Sequence, residues 1–236
     1  GVTQLILSQG EVRGELWHVL GEPLGQLRGF GYLRDDNGNQ VFSSTSGNFL
    51  TTPQRVALGS AIPKWVGGIY NSFNYKGISL SALVDFKLGH DLFSTTNFNA
   101  WRHGLHKGTL EGRDTGFVIG EGVNENGEPN TTPIDVDSYY GRIRGANLME
   151  EFTYNAGFWK LRQLNLGYDL TKHLKSVKFI KGAKIDIISN NVLILKKWTP
   201  NIDPEQISFA SDNLNGIEDP ALPPQRSYGF NLNLKF

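Results

Sequence analysis

Apolar and polar side chains alternate most regularly in residues 226–236 of the chain. Because successive side chains of a strand point to opposite faces, this segment would present one apolar face and one polar face. Such a strand suits either a soluble sandwich, with its core on one side, or a membrane barrel, with lipid outside and water inside. A tilted membrane strand needs about 9–11 residues whereas soluble strands usually have about 5–6, so the length favours the barrel. The predicted apolar face consists of Tyr228, Phe230, Leu232, Leu234 and Phe236.

A similar alternation recurs in two neighbouring segments that a short turn joins. Between Ile78 and Leu88, apolar residues alternate with polar ones, and Leu83 alone interrupts the polar set. Lys76 and Gly77 would form a tight turn that connects this segment to residues 66–75. Together with three further segments, the pattern predicts six antiparallel membrane strands, near residues 11–20, 66–75, 78–88, 157–168, 183–192 and 226–236.

Long and short connections alternate between these predicted strands. The long ones, residues 21–63, 89–155 and 196–225, are rich in glycine, asparagine or proline and lack sustained periodicity. Outer-membrane barrels place long loops on the extracellular side and short turns on the periplasmic side. Six strands are too few to close a barrel around a pore, and lipid does not tolerate open strand edges. We therefore expect residues 11–20 and 226–236 to pair with strands that this chain does not contain, or with each other only by barrel closure in the intact protein.

Composition narrows the range of functions. The chain has 23 basic and 23 acidic residues, so its formal net charge is zero and the basic excess of a nucleic-acid-binding protein is missing. It contains no cysteine, which excludes disulfides and thiolate metal sites. No run of 18 apolar residues is present, and the first residues lack the features of a signal peptide. Because an exported protein needs such a signal, we expect the chain to be a fragment.

Several motifs resemble those of SusC/RagA-type TonB-dependent transporters. VLGEPLG at residues 19–25 and GYLRDDNGN at 31–39 are similar to one stretch of that family. FWKLRQLNLGY at residues 158–168 is similar to another, and NIDPE at 201–205 and PQRSYGFNLNLKF at 224–236 resemble its ending. The segment from Pro63 to Leu80, which continues into residues 83–93, also matches. The motifs occur in the family's order and span nearly the whole chain.

The resemblance implies a fold, a function and a location. Residues 1–236 would be the C-terminal portion of a β-barrel of about 22 strands, so the fold class is all-β, with about six antiparallel transmembrane strands and long extracellular loops. The intact protein would import oligosaccharides or peptides across the outer membrane of a Gram-negative bacterium. Its partners would be TonB, acting through a plug region absent here, a SusD-like surface lipoprotein, and the remaining barrel and plug, possibly as other chains. The alternative is a soluble carbohydrate-binding β-sandwich.

Three residues in the predicted extracellular loops are candidates for contact with substrate or with the lid lipoprotein. Exposed Trp101 and Trp198 could stack on sugar rings, and Arg102 suits a carboxylate or a peptide terminus. The alternative for all three is packing against the barrel rim or the lid. Carboxylates are numerous, but none forms a recognisable catalytic motif, so we expect neither an enzyme nor a cofactor or metal site.

Overall fold

The computed structural model describes residues 2–9, 15–174, 176–177, 179–206, 216–220, 222 and 224–236. Two α-helices occur in this part of the chain, α1 at Thr95–Arg102 and α2 at Val136–Ala146, with short 3-10 turns at Lys107–Thr109, Glu150–Phe152 and Thr171–His173. None of the described helices is long and apolar enough to span a membrane. The strands are β1 Gln4–Gln9, β2 Glu15–Val19, β3 Gln26–Gly29, β4 Val41–Phe42, β5 Val56–Ser60, β6 Trp65–Tyr75, β7 Ile78–Leu88, β8 Asp91–Ser94, β9 Phe117–Val118, β10 Val123–Asn124, β11 Ile134–Asp135, β12 Thr153–Asn155, β13 Phe158–Asp169, β14 Gly182–Lys197, β15 Ile217–Glu218 and β16 Ser227–Lys235.

The chain divides into two compact units, and each is built from three separate stretches of sequence. The core unit contains the described residues within 1–62, 91–155 and 207–221. The sheet unit contains those within 63–90, 156–206 and 222–236. The two units therefore alternate along the chain.

The sheet unit contains one antiparallel sheet of five strands in the order β16-β14-β13-β7-β6. A two-residue turn joins β6 to β7, and both of its residues, Lys76 and Gly77, have positive φ angles. Such a turn matches the right-handed twist of paired strands, so it fixes the hairpin register from Tyr75 opposite Ile78 to Trp65 opposite Leu88. The five predicted strands from 66–75 onward are confirmed, with β14 continuing to Lys197 beyond its predicted end at residue 192.

The core unit combines short strands and the two helices around buried apolar side chains. Ser94 caps α1 by accepting a hydrogen bond from the backbone N–H of Asn97, and Asp135 caps α2 in the same way through Ser138. α2 ends at Asn147, which adopts the left-handed conformation typical of a helix C-terminus. The central cluster consists of Leu16, Leu27, Phe42, Phe49, Phe93, Phe98, Ile143, Leu148, Met149, Phe152 and Ile217.

The prediction of a membrane strand at residues 11–20 is wrong. Residues 11–14 lie outside the described part, and the strand that is present, β2, has only five residues. It lies in a four-stranded sheet of the core unit, where β1 and β3 pair with its two edges. β2 does not alternate between apolar and polar residues because both of its faces are buried, as Glu15 and Leu16 show from opposite faces. The expectation that this strand pairs outside the chain fails with it.

Residues 89–155, to which the sequence analysis assigned no regular element, contain both helices and several short strands. The helices were not predicted because α1 includes four threonine or asparagine residues in its first five positions and α2 contains two glycines. These residue types are weak helix formers. Capping and packing in the core unit compensate for that weakness.

Candidate functional site

The sheet unit exposes a continuous apolar surface on one face of its five strands. One row of paired residues crosses the whole sheet, with a single apolar side chain from each strand. Phe230 is 80% exposed and Phe73 is 65% exposed at the two ends of this row. Soluble proteins seldom leave so large a contiguous apolar patch uncovered. The row consists of Phe230, Ile187, Leu166, Leu80 and Phe73.

The opposite face of the same sheet is polar. The adjacent row contains four polar residues and a glycine, because the side-chain direction reverses at every step along a strand. Lys184 and Asp186 form an ion pair of 2.7 Å on this face. This adjacent row consists of Asn231, Asp186, Gly167, Ser79 and Asn74.

The apolar surface has the height of a membrane's hydrocarbon layer. Trp65 and Tyr75 lie at opposite ends of β6 on the apolar face, and both are about 70% exposed. Ten steps of about 3.3 Å separate them by about 33 Å along the strand, or about 25 Å across a bilayer if the strand tilts by about 40°. Trp159 stacks on Phe86 toward the Trp65 end, with ring centroids 4.4 Å apart, and Tyr168 lies near the Tyr75 end. Aromatic residues at both borders of an apolar band are typical of membrane barrels.

Both outer edges of the five-stranded sheet carry unpaired backbone groups in the described part of the chain. β6 pairs only with β7, and β16 pairs only with β14. The expectation that residues 226–236 pair with strands outside this chain stays a prediction, and in the described residues β16 has one edge without a partner strand. The second free edge belongs to residues 65–75, not to residues 11–20.

A cluster of charged residues lies on the polar side of the sheet unit. Lys160 Nζ donates to Asp203 Oδ1 at 2.6 Å and to Glu205 Oε2 at 2.7 Å. Arg162 Nη2 donates to Asp85 Oδ2 at 2.6 Å and to the same Glu205 oxygen at 2.8 Å. The Lys160 side chain is 7% exposed, so this network is largely removed from water.

Glu205 joins the two halves of this charged cluster. Burial alone would raise the pKa of its carboxyl, but hydrogen bonds and charges from Lys160 and Arg162 outweigh burial and hold the pKa below its usual value. Glu205 therefore stays ionised at neutral pH. Since Asp203 and Glu205 follow the end of β14, their ion pairs fix the segment after that strand against β13.

Sequence comparison relates the chain to TonB-dependent receptors. No protein-family model matches. The chain is 21% identical over 208 residues to TonB-dependent receptor P3 of Formosa agariphila, which covers 85% of this chain and 19% of the receptor. It is 22% identical over 216 residues to TonB-dependent receptor P26 of the same organism, which covers 89% of this chain and 20% of that protein. The chain thus spans about a fifth of the length of these curated relatives.

Structure comparison gives the fold. The chain matches a structure of the RagAB peptide transporter over 100% of its own length and 25% of the other chain, with a TM-score of 0.61 and 18% identity. It matches the RagAB peptide importer in the closed-closed state with a TM-score of 0.67 and 17% identity, again over 25% of that chain. The chain has the fold of part of a SusC/RagA-type TonB-dependent transporter.

The transporter fold confirms the predicted all-β class and the family resemblance. It also accounts for the exposed apolar face, which a soluble sandwich would cover with a second layer. The relatives are named as receptors and transporters. The similarities likewise support the predicted location in the outer membrane of a Gram-negative bacterium.

The structure places two of the three predicted contact residues in the core unit. Trp101 is half-buried at the end of α1, where its ring meets Tyr140 edge-on at 5.5 Å and Phe152 at 5.8 Å. The Arg102 side chain lines a pocket of about 480 Å³. Neighbouring positions on one helix thus have different environments, with Trp101 packed against the core and Arg102 turned into the pocket.

Trp198, the third candidate, belongs to the sheet unit. It follows β14, is 43% exposed, and lies with its ring centroid 4.8 Å from Lys196 Nζ. The charged cluster, of which Asp203 and Glu205 follow Trp198 closely in the sequence, was not predicted. Two signals could have found it: Lys160 and Arg162 are two apart on a strand, and NIDPE at residues 201–205 carries two carboxylates.

Proposed function

We propose that the chain forms part of the wall of an outer-membrane importer for oligosaccharides or peptides, energised through TonB. The observation that carries this proposal is the five-stranded sheet, with an apolar face of bilayer height, a charged opposite face and two open edges. The apolar face contacts lipid and the polar face lines the lumen. Open edges in lipid cost several kcal/mol for each unsatisfied group, so further strands pair with β6 and β16 in the intact barrel.

In this proposal, residues 1–236 constitute the C-terminal portion of a longer transporter. The support is the share of the relatives that the chain covers, which is about a fifth to a quarter of their length. The rest of the barrel and the plug that contacts TonB come from the remaining protein. A SusD-like lipoprotein covers the extracellular mouth, and Arg102 and Trp198 contact substrate or this lid, whereas Trp101 packs within the core unit.

The cargo is an oligosaccharide or a peptide. The RagAB relatives are named as peptide importers, which supports the peptide option. Uptake of labelled peptide and oligosaccharide pools should distinguish the two, in cells with and without the gene. We expect one pool to enter only when both the gene and TonB are present, because an importer of this kind needs energy from TonB. Equal uptake in cells without TonB would contradict the proposal.

The orientation of the sheet can be tested separately, because the chain contains no cysteine. Single cysteines replace Phe230 on the apolar face and the next residue, Asn231, on the polar face of a cysteine-free protein in lipid vesicles. We expect a charged maleimide to label Asn231→Cys and not Phe230→Cys, and a lipid-borne quencher to quench a fluorophore only at position 230. Equal labelling at both positions would exclude a lipid-facing surface.

A further inference from the structure

The core unit contains a pocket of about 480 Å³ beside Arg102. It lies between the end of α1 and the start of α2, and its volume suits one or two sugar rings or amino-acid residues. The lining residues are Arg102, His103, Gly104, Thr109, Arg113, Val136, Asp137, Tyr140 and Gly141.

Two guanidinium groups reach this pocket, and one of them is held in place by the protein. Arg113 Nε donates to the carbonyl oxygen of Thr109 at 2.7 Å, and Arg113 Nη2 donates to Thr109 Oγ1 at 2.7 Å and to the carbonyl of Gly104. Nη1 is then its remaining donor. Arg102 has no hydrogen-bond or ion-pair partner among the described residues, although its side chain is half-buried. A fixed guanidinium beside a free one is an arrangement that favours a planar anion.

The other wall of the pocket accepts hydrogen bonds. Asp137 stands in the first turn of α2 and contributes a carboxylate. Tyr140 donates its hydroxyl proton to the carbonyl of Glu111 at 3.1 Å, so the phenolic oxygen faces a ligand as an acceptor. Burial raises the pKa of Tyr140, which keeps the hydroxyl protonated at neutral pH. Asp137 and Tyr140 therefore suit a hydroxyl or an ammonium group of the ligand.

Gly141 leaves open the part of the pocket formed by α2. A glycine inside a helix costs about 1 kcal/mol relative to alanine. A Cβ atom at this position would meet no atom within 4 Å, so packing within the chain does not require glycine here. Gly145, one turn further along, is equally open but does not line the pocket. The two positions form a matched pair.

We propose that this pocket binds the carboxylate of a small polar ligand, through Arg102 and Arg113, while Asp137 accepts a hydrogen bond from a neighbouring hydroxyl or ammonium group. A carboxylate fits better than a phosphate, because Asp137 would repel the second negative charge. An acidic sugar and the C-terminal end of a peptide both carry this chemistry. The inference rests on the core unit alone and does not depend on the proposed import function.

Isothermal titration of the full-length protein in detergent tests the site with two pairs of probes. The first pair is digalacturonate and its neutral methyl ester, and the second is alanyl-alanine and its C-terminal amide. We expect one acid to bind and its neutral counterpart not to bind, and the acid that binds identifies the source of the carboxylate. If neither acid binds better than its neutral counterpart, the inference is wrong.

Variants then locate the binding site of that acid. Arg102→Gln should weaken binding about tenfold or more, because it removes a charge-assisted hydrogen bond. Lys107→Gln removes the same charge from an exposed residue nearby that does not line the pocket, so it should change binding less than about twofold. Equal effects of the two substitutions would show that general charge, and not this pocket, attracts the acid.

Substitutions at Gly141 and Gly145 test the pocket independently of the arginine variant, which would also lose binding if it misfolded. Gly141→Leu fills the pocket with a side chain that a helix accepts, whereas Gly145→Leu places the same side chain outside it. Both variants should unfold at the same temperature as the unmodified protein or above it, and only Gly141→Leu should abolish binding of the acid. Unchanged binding in Gly141→Leu would overturn the inference even if uptake by cells shows that the protein is an importer.

Discussion

The core unit and the sheet unit use apolar side chains in opposite ways. In the core unit, short strands and two helices enclose residues such as Phe93 and Phe152, which are at most 1% exposed. In the sheet unit, long strands display residues such as Phe230 at 80% exposure. Both units belong to one chain with zero net charge. The two units therefore suit different surroundings. The core unit buries its apolar side chains within itself, and the sheet unit leaves its apolar face exposed, as contact with lipid requires.

This difference explains how each unit appears in the sequence. A sheet between lipid and water has one apolar and one polar face, which requires strict alternation over about ten residues. A small core closes around side chains from every direction, so its strands need no alternation. Strict alternation therefore indicates a sheet with lipid on one face and water on the other. A strand in a small core does not require it.

The largest expected contrast comes from removing one aromatic ring in each unit. Phe152→Ala should lower the free energy of unfolding by about 3–5 kcal/mol, because it leaves a cavity among Phe98, Trp101 and their neighbours. Phe230→Ala should cost only about 1–2 kcal/mol, since detergent or lipid fills the space and only the transfer term is lost. Denaturant titration in detergent measures both values. Equal losses would mean that Phe230 is also packed against protein.

The second expected effect concerns the charged cluster. Lys160→Met should destabilise the sheet unit by about 3 kcal/mol, because it leaves Asp203 and Glu205 partly buried without their main partner. Lys87 is the matched control. Its side chain is 43% exposed and lies 3.9 Å from Glu205, so Lys87→Met should cost less than about 1 kcal/mol. The same denaturant titration decides, and similar costs for both variants would show that the cluster is solvated.

A positive charge on each face of β16 should sharpen the comparison further. Phe230→Arg should cost about 2–3 kcal/mol in lipid vesicles, because it places a guanidinium against hydrocarbon. Asn231→Arg should change the free energy of unfolding by less than about 0.5 kcal/mol, because its side chain faces water. Reversible unfolding in vesicles measures the pair. Reversed values would mean that the lipid-facing side has been assigned wrongly.

The smallest expected effect is a pH dependence that Glu205 contributes. Its pKa is lower in the folded protein than in the unfolded chain, so its stabilising contribution is complete above the ordinary pKa of a glutamate. That contribution is lost as the pH falls through the lowered folded value. Glu205→Gln should therefore flatten the loss of stability in this acidic range and leave the slope near neutral pH unchanged. If stability falls with acidic pH as steeply in Glu205→Gln as in the unmodified protein, Glu205 does not contribute to that pH dependence.

The sequence predicted the sheet unit closely and the core unit poorly. The hairpin at residues 65–88 was predicted to within one residue, since lipid demands alternation and Lys76-Gly77 sets the turn. The predicted end of β14, at residue 192, is too early. The alternation is interrupted at an irregularity around Asn191, which has a positive φ angle, and the strand continues beyond it to Lys197.

The core unit was not predicted because its structure depends on contacts between residues that are distant in the sequence. The sequence pointed to Arg102 by its chemistry, but the pocket around it depends on Arg113, Asp137 and Gly141 from other elements. Glu15 and Glu218 are buried carboxylates, and each has a partner far away in the sequence, Arg55 for Glu15 and Ser94 for Glu218. Glu218 accepts a hydrogen bond from Ser94 Oγ at 2.6 Å, a contact that no local pattern indicates.

The alternation of the two units along the chain has a consequence for folding. β7 must pair with β13 across residues 89–157, and β8 of the core unit must pair with β15 across an even longer separation. Pairings between distant segments slow folding, because the entropy of closing the loop is lost before any contact forms. Neither unit can be completed from one continuous stretch. During synthesis, β7 therefore remains without one of its two neighbours until β13 has been made, and in that interval its apolar side chains are exposed to aggregation.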